Sequence, residues 1–143
     1  MSKYHEYEVG KLCGKGKFST VYKAKRKMDN LTVALKKIAV DVMDKKEVEA
    51  CMQEVMLLKS VTDHPNIISY LDSFLHENYL IIVLEWAGAG DLKRQISKAK
   101  QKSARFDEGL VWKIFNQIAS AINHMHKKRT SLWKLLLYLS QFK

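Results

Sequence analysis

The stretch CGKGKFSTVYKAK (13–25), followed closely by VALKKI (33–38), decides the fold of this 143-residue chain. Apolar and charged residues alternate over 20–26, and residues 31–38 are rich in β-branched and aliphatic side chains, so each segment is predicted to be a strand. The intervening MDN (28–30) is typical of a turn. The two strands are therefore predicted to form a hairpin.

The rest of the first half predicts one helix and two more strands. Apolar residues (Val48, Met52, Val55 and Leu58) recur at helical spacing within 44–61. The turn formers TDHPN end that helix. Residues 67–74 and 79–86 are then predicted to be strands joined across LHEN.

Beyond residue 87 the pattern is helical only. Residues 92–102 predict a short basic helix, and Asp107 is a plausible N-cap for a longer one. That longer helix has an apolar stripe that needs a partner surface, made by Leu110, Val111, Ile114, Phe115, Ile118, Ala121, Ile122 and Met125. The order of elements indicates an α+β fold with a boundary near residue 87.

Composition excludes several classes of protein. Hydrophobic residues make up 47% and charged residues 28%, which is ordinary for a globular chain, and the net charge of +10 is spread along the sequence. Scattered basic residues favour a solvated surface over a nucleic-acid site. Two cysteines are too few for a disulfide framework, so we expect a reducing compartment. The start of the sequence has no signal peptide, and no stretch approaches the ~20 apolar residues of a spanning helix.

The glycines in 13–25 allow several readings. A Walker A loop requires Lys-Ser or Lys-Thr after its last glycine, but Lys17 is followed by Phe18. A dinucleotide fingerprint requires a following helix, whereas Ser19 leads into a strand. Two readings stay open on this stretch alone: a plain hairpin turn, and a glycine-rich turn between antiparallel strands that folds over a nucleotide.

Two charged residues point to the second reading. Lys36 ends the motif Val-Ala-Leu-Lys on a predicted strand, where a lysine is ordinarily solvent-facing. Glu54 lies among apolar residues of the predicted helix, which costs free energy unless a cation reaches it. Lys36 is the candidate cation.

Together with HPNII (64–68) and VLEWAGAGDL (83–92), these pieces resemble the protein kinase family, most closely the NIMA-related serine/threonine kinases. The resemblance covers roughly residues 7–129. It implies a small lobe over 1–86, made of an antiparallel sheet and one helix. It also implies a hinge with the first two helices of an incomplete large lobe over 87–129. Residues 130–143 form a leucine-rich tail outside the family pattern.

The resemblance also implies a set of nucleotide-binding residues. Lys36 and Glu54 correspond to the pair that orients ATP, Leu84 to the gatekeeper, and Leu58 and Tyr70 to upper positions of the hydrophobic spine. Cys13 stands where an aliphatic residue usually covers adenine, and we interpret it first as packing. The full set implied to contact ATP is Cys13, Gly14, Gly16, Ser19, Val21, Ala34, Lys36, Leu84, Glu85, Ala87 and Asp91.

The remaining catalytic parts of the family are not recognisable in this sequence. Lys134 stands in place of the catalytic aspartate and Leu139 in place of the metal-binding asparagine, and no D-F-G motif occurs. We therefore expect weak ATP binding, no magnesium ligands, and no phosphate transfer by this chain alone. A truncated kinase product is the first hypothesis, and a non-catalytic regulator that binds a full-length kinase is the alternative.

The resemblance bears on partners and location as well. A protein substrate is expected only for a complete form, and neither nucleic acid nor membrane is expected as a partner. A third hypothesis, in which the leucine-rich tail anchors to a membrane, fits poorly because only Lys134 and Lys143 are basic there. The implied location is the cytoplasm, with the nucleus and centrosome added by family resemblance.

Overall fold

The computed structural model describes residues 3–88 and 92–128. They form an α+β arrangement, as the sequence predicts. A short 3-10 helix, Lys3–Glu6, comes first and is called here the N-terminal segment. The strands and helices follow as β1 (Tyr7–Lys15), β2 (Ser19–Arg26), β3 (Thr32–Ala39), α1 (Lys45–Val61), β4 (Tyr70–His76), β5 (Tyr79–Glu85), α2 (Leu92–Gln101) and α3 (Glu108–Lys127).

The chain divides into two compact units. The first, the sheet unit, comprises Met1–Lys59 and Ser69–Trp86. The second, the helical unit, comprises Ser60–Ile68 and Ala87–Lys143. The chain thus passes between units at Trp86 and Ala87, and the end of α1 together with the turn that follows it groups with the later helices.

The five strands form one antiparallel sheet in the order β1-β2-β3-β5-β4. The predicted hairpin of β2 and β3 is present, and its turn places Asn30 at a φ of 58°, which asparagine tolerates better than most residues. Hydrogen bonds from the Arg26 guanidinium and the Leu31 amide lower the pKa of Asp29 to about 2. The ionised Asp29 side chain therefore holds both ends of this turn.

Strand β1 is irregular where it passes Gly10. Its register with β2 shifts between Val9 and Leu12 and again before Gly14. A Cβ atom at Gly10 would lie 3.0 Å from the carbonyl oxygen of Lys23, which is backbone and has little freedom to move. Only glycine allows this close approach without a local shift.

One face of the sheet carries a closed apolar cluster. Val33, Leu35, Ile81 and Val83 are buried there with at most 1% exposure. The cluster also includes Tyr7 and Ala24, with Tyr4, Phe74 and Tyr79 packed against it. We call this the outer face, because the candidate site residues alternate with these positions and lie on the other face.

The N-terminal segment packs on the outer face. The Tyr4 ring stacks on His76 of β4 with centroids 4.3 Å apart, and Lys3 Nζ lies 2.9 Å from Asp72 Oδ2. The segment contacts both β1 and β4, the two edge strands of the sheet. The sequence showed only that this region resembles no signal peptide, so its structural role was missed.

Helix α1 begins with a reciprocal capping arrangement. The Glu47 amide donates to Asp44 Oδ1 over 2.8 Å, and the Asp44 amide donates to Glu47 Oε2 over 3.1 Å, which is a capping box. The helix starts one residue after the predicted start, because Asp44 is the cap itself.

The buried side of α1 differs in part from the predicted one. Cys51, Val55 and Leu58 are buried, whereas Met52 is 49% exposed. The prediction that Met52 belongs to the apolar face was wrong. Cys51 fills that place because it precedes Val55 by four residues and therefore shares its face.

Strand β4 lies later than predicted. Residues 67–69 are not part of a strand, because the Ile67 amide donates to the carbonyl of His64 over 3.1 Å and continues the turn there. The strand instead runs through to His76. Glu77 at the following turn has a φ of 51°. Ile67 and Ile68 are buried although they lie outside a strand. A short apolar run of this kind cannot be told from a strand in the sequence.

In the helical unit, Asp107 caps α3 as predicted. Its Oδ2 accepts a hydrogen bond from the Leu110 amide over 3.0 Å. The apolar stripe of α3 divides along its length: Phe115 is 59% exposed, whereas Ala121 and Met125 are fully buried. Within the described ranges, no helix is long and apolar enough to cross a bilayer.

Polar side chains tie α3 to the turn before β4. His64 Nε2 lies 3.1 Å from Ser120 Oγ, and Asp63 lies 3.0 Å from His124 Nε2 and 3.3 Å from Lys128 Nζ. Burial lowers the pKa of His64, and the neighbouring His124 lowers it further, although Asp63 acts in the opposite direction. We call these residues the histidine tie. The contacts of His64 with Ser120 and His124 were not predicted from the sequence.

Candidate functional site

The register of the sheet places the candidate side chains on one face, opposite the outer face. Val21 of β2 pairs with Lys36 of β3, and Ala34 of β3 pairs with Leu84 of β5. Directly paired residues project to the same side, as do residues two apart on one strand. These four residues therefore share a surface, called here the inner face.

An ion pair forms at this face. Lys36 Nζ lies 2.9 Å from Glu54 Oε1, and the two side chains are 17% and 20% exposed. Glu54 directly precedes Val55, which is buried. Because packing of Val55 fixes the rotation of α1 about its axis, it also fixes the direction in which Glu54 projects. The structure thus brings together the two charged residues that sequence reasoning paired. Their role towards ATP stays a prediction.

The glycine-rich turn links β1 and β2. The Gly16 amide donates to the carbonyl of Ser19 over 2.7 Å, and a Cβ atom at Gly16 would lie 3.1 Å from Ser19 Oγ. Gly14 pairs with Val21 and has ordinary space around its Cα. The tight turn therefore depends more on Gly16 than on Gly14.

Phe18 holds the tip of this turn against β3. Its carbonyl accepts a hydrogen bond from the Ala39 amide over 2.9 Å, and Lys17 Nζ lies 4.3 Å from the centre of its ring. The tip of the turn is therefore attached to β3 at Phe18.

Cys13 is exposed, and its thiol donates to the carbonyl of Lys11 over 3.3 Å. The structure of the described residues gives it no buried environment. Its implied packing against adenine stays a prediction.

The end of β5 is fixed to the residue before β4. The Glu85 amide donates to the carbonyl of Ser69 over 2.9 Å, and Glu85 Oε2 accepts from the Ser69 amide over 3.1 Å. Leu84 is buried at this end. Ala87 belongs to the helical unit, and Asp91 lies outside the described residues.

The implied spine positions also lie in the sheet unit. Leu58 of α1 is fully buried, and Tyr70 of β4 pairs with Leu84. The Tyr70 hydroxyl donates to Ser73 Oγ over 2.8 Å. This local hydrogen bond satisfies the phenol at the edge strand.

Sequence reasoning missed one residue of the inner face, Lys23. It pairs with Ala34, and its Nζ lies 5.3 Å from the centre of the Trp86 ring. The signal was its position two residues after Val21 on the same strand, which places both side chains on one side. Lys23 therefore adds a second cation to this face.

The inner face offers two kinds of contact to a ligand. Val21, Ala34 and Leu84 provide an apolar surface suited to a flat ring, and Lys36 provides an ammonium group suited to an anion. The backbone at the glycine-rich turn is open to close approach. Within 3–88 and 92–128, no three His, Cys, Asp or Glu side chains converge as metal ligands would.

Comparison with known proteins agrees with this geometry. The family model described as protein kinase domain matches residues 7–132. The chain belongs to the protein kinase domain family. Its relatives include several NIMA-related kinases, as the sequence motifs predict.

Three relatives illustrate the similarity. A protein named probable serine/threonine-protein kinase nek3, from Dictyostelium discoideum, is 40% identical over 86% of this chain. Human serine/threonine-protein kinase Nek5 is 35% identical over 87% of the chain, and Nek8 of Danio rerio is 37% identical over 86%. This chain spans only 11%, 17% and 17% of the lengths of those three proteins.

Proposed function

We propose that the sheet unit of this protein kinase domain fragment binds an adenine nucleotide, and that the 143 residues alone do not transfer its phosphate. The observation that carries the binding proposal is the ion pair of Lys36 and Glu54 on the same face as Val21, Ala34 and Leu84. An apolar surface beside a held ammonium group matches a ligand with a flat base and a polyphosphate.

The ion pair supports this assignment because of its position. A lysine on an exposed strand gains little from a single carboxylate, but this pair is mostly withdrawn from water. Glu54 holds the Lys36 side chain in one place, which lowers the entropy cost of placing the ammonium group against a phosphate. ATP is the nucleotide that kinases use, and it is the ligand we propose here.

The binding test is a titration of the 143-residue chain with a fluorescent ATP analogue. Lys36→Met is expected to weaken binding by about tenfold or more, since a hydrogen bond to a charged group contributes roughly 1.5–3 kcal/mol. Lys37→Met is the matched control, because Lys37 is the next residue and lies on the outer face, 3.8 Å from the centre of the Tyr79 ring. Equal effects of the two variants would contradict the proposed site.

The second part of the proposal concerns chemistry. Phosphate transfer depends on positioned magnesium ions and on a base for the substrate hydroxyl, and residues 130–143 have Lys134 and Leu139 at the corresponding places. An assay of the 143-residue chain with ATP, magnesium and a generic protein substrate should show no transfer above background. Transfer that disappears in Lys36→Met would overturn this part. In longer forms that carry the missing motifs, we propose ATP-dependent phosphorylation of a protein.

An interaction role is the second candidate, favoured by the exposed apolar residues of α3. Val111, Trp112 and Phe115 are all about half exposed or more, and such clusters are found at protein interfaces. In this role the chain acts in the cytoplasm as a non-catalytic regulator that binds a full-length kinase. Stoichiometric capture of a purified NIMA-related kinase by the chain supports the role, and its absence contradicts it.

A further inference from the structure

The helical unit contains an apolar groove between α2 and α3 that the proposed nucleotide site does not use. Its volume is about 260 Å³. Leu92, Ile96 and Ala99 contribute from α2, and Phe106, Val111 and Ile114 contribute from the connection and α3. Pockets for drug-sized ligands measure roughly 300–1,000 Å³. The groove, called here the α2–α3 groove, is therefore better suited to a few aliphatic side chains.

The backbone at both ends of the connection between the helices is fixed. At the end of α2, the Ala104 amide donates to the carbonyl of Ala99 over 2.9 Å, and the Ser103 amide donates to that of Lys100 over 3.1 Å. This is a Schellman motif, with Ser103 in the left-handed conformation at a φ of 51°. At the start of α3, Asp107 caps the helix. Hydrogen bonds therefore fix both ends of the connection that lines the groove.

The segment that forms one wall of the groove is strongly basic, and two of its lysines lie on the groove side of α2. Residues 92–106 contain no acidic residue and six basic ones, namely Lys93, Arg94, Lys98, Lys100, Lys102 and Arg105. Lys100 lines the groove itself. Lys93 lies two turns earlier on the same side of α2. The carboxylates that follow this segment, Asp107 and Glu108, accept hydrogen bonds from the Leu110 amide and the Trp112 indole.

We propose that the α2–α3 groove docks an acidic, amphipathic segment of a partner protein. Leucine-like side chains of that segment occupy the groove, and its glutamates or aspartates face Lys93 and Lys100. Charge complementarity identifies this occupant, because a basic rim attracts an acidic segment and repels a basic one. Insertion of an apolar helix face into a groove is a general mode of peptide recognition.

An anionic lipid surface is the competing source of negative charge. A helix that lies on a membrane presents its apolar side outward and inserts it into the lipid. On α2, however, Leu92 and Ala99 are half-buried and line a concave surface shared with α3. A concave apolar surface fits protruding side chains better than it fits a bilayer, so the geometry favours a peptide.

The test measures fluorescence anisotropy of a labelled synthetic peptide mixed with the 143-residue chain. The peptide has leucines at positions i, i+3 and i+7 and glutamates between them, and a second peptide has lysines in place of the glutamates. The acidic peptide is expected to bind, and its affinity should fall as salt is added. The basic peptide should bind at least about tenfold more weakly, because its charges repel the rim.

Two matched variants locate the binding. Lys100→Glu should weaken binding of the acidic peptide by about fivefold or more, since it turns an attraction at the groove into a repulsion. Lys98→Glu changes the net charge equally but projects from the opposite side of α2, so it should change binding by less than about twofold. Ile96→Gln should weaken binding by removing apolar surface from the groove.

Each outcome bears on the proposal. Equal losses in Lys100→Glu and Lys98→Glu, or equal binding of both peptides, would overturn it. Binding to anionic phospholipid vesicles without binding to the acidic peptide would assign the surface to lipid instead. Lys36→Met should leave peptide binding unchanged, so this experiment fails or succeeds independently of the nucleotide proposal.

Discussion

The two units of the chain differ in how completely their apolar surface is covered. In the sheet unit, both faces of the sheet carry buried side chains, with Val33 and Ile82 as examples at 0% exposure. In the helical unit, α2 has no buried residue, and among the described residues α3 has only Ala121 and Met125. Among the described residues, the apolar side chains of the sheet unit thus close a core, whereas part of the apolar stripe of α3 stays exposed.

The difference has a local cause. In a sheet, each strand satisfies its backbone with its neighbours, and one covering element can bury several strands at once. A helix satisfies its own backbone and depends on a partner only for its apolar side. Helix α3 therefore forms over its whole length, including the part where Trp112 and Phe115 remain exposed.

The largest expected effect contrasts one core side chain of the sheet unit with one exposed side chain of α3. Ile81→Ala should lower the free energy of unfolding by about 2–5 kcal/mol, because it leaves a cavity in the outer-face cluster. Phe115→Ala should change it by less than about 0.5 kcal/mol. Urea unfolding followed by circular dichroism measures both. A large loss in Phe115→Ala would mean that the α3 stripe is covered.

The next effect tests the irregular edge of the sheet unit. Gly10→Ala places a Cβ atom 3.0 Å from the Lys23 carbonyl, and we expect a loss of about 1–3 kcal/mol as the backbone shifts. Gly14→Ala is the control, since its nearest neighbour would be the Val21 Cβ at 3.8 Å. Similar unfolding midpoints for the two variants would contradict this prediction, because the backbone of β1 would then shift at Gly10 with little loss of stability.

A smaller effect compares the two helix N-termini. Asp107→Ala should destabilise α3 by about 1 kcal/mol through loss of its cap. Asp44→Ala should cost a similar amount in α1, where the Glu47 amide loses its side-chain acceptor while the residue 44 amide can still donate to Glu47. Hydrogen exchange of the first-turn amides separates the two helices. Faster exchange in α3 than in α1 would indicate that fewer side chains from other elements pack against α3 than against α1.

A stabilising change is expected at the end of α2. Ser103→Gly should raise stability by a few tenths to about 1 kcal/mol, because serine is strained at a φ of 51°. Asn30→Gly should gain less, since asparagine tolerates this conformation. Thermal melting measures both. A larger gain at Asn30 would contradict the assignment of strain.

The last prediction concerns pH and the histidine tie. The pKa of His64 is lower in the fold than its ordinary value of 6.5, so the unfolded chain binds the proton more readily. The tie should therefore stabilise α3 fully above about pH 6.5 and weaken as the pH falls below that value. Hydrogen exchange of α3 amides near Ser120 at several pH values measures this. His64→Gln should remove the dependence, whereas His126→Gln, which changes an exposed histidine of α3, should leave the dependence unchanged.

The sequence predicted the parts of the molecule that have short-range causes. Alternation predicted β2, β-branched and aliphatic content predicted β3, and the side chain of Asp107 predicted the start of α3. Lys36 was paired with Glu54 across 18 residues because a glutamate among the apolar residues of a helix is unfavourable unless a cation reaches it. These features follow from local periodicity, hydrogen bonding or charge.

The features that the sequence did not predict depend on residues far apart in the chain. The contact of Tyr4 with His76 and that of His64 with Ser120 carry no periodic signal. Met52 fits the helical period as well as Cys51 does, and only the packed structure distinguishes them. Burial of Ile67 and Ile68 outside a strand also imitates a strand in sequence.

The ion pair between Lys3 and Asp72 has a consequence for the order of events during protein synthesis. The two residues are 69 positions apart, so the N-terminal segment must wait for the synthesis of β4 before it can settle on the sheet. Strand β5 follows β4 and lies between it and β3. The sheet therefore closes only near Glu85, and until then a nascent chain shows its outer face to chaperones.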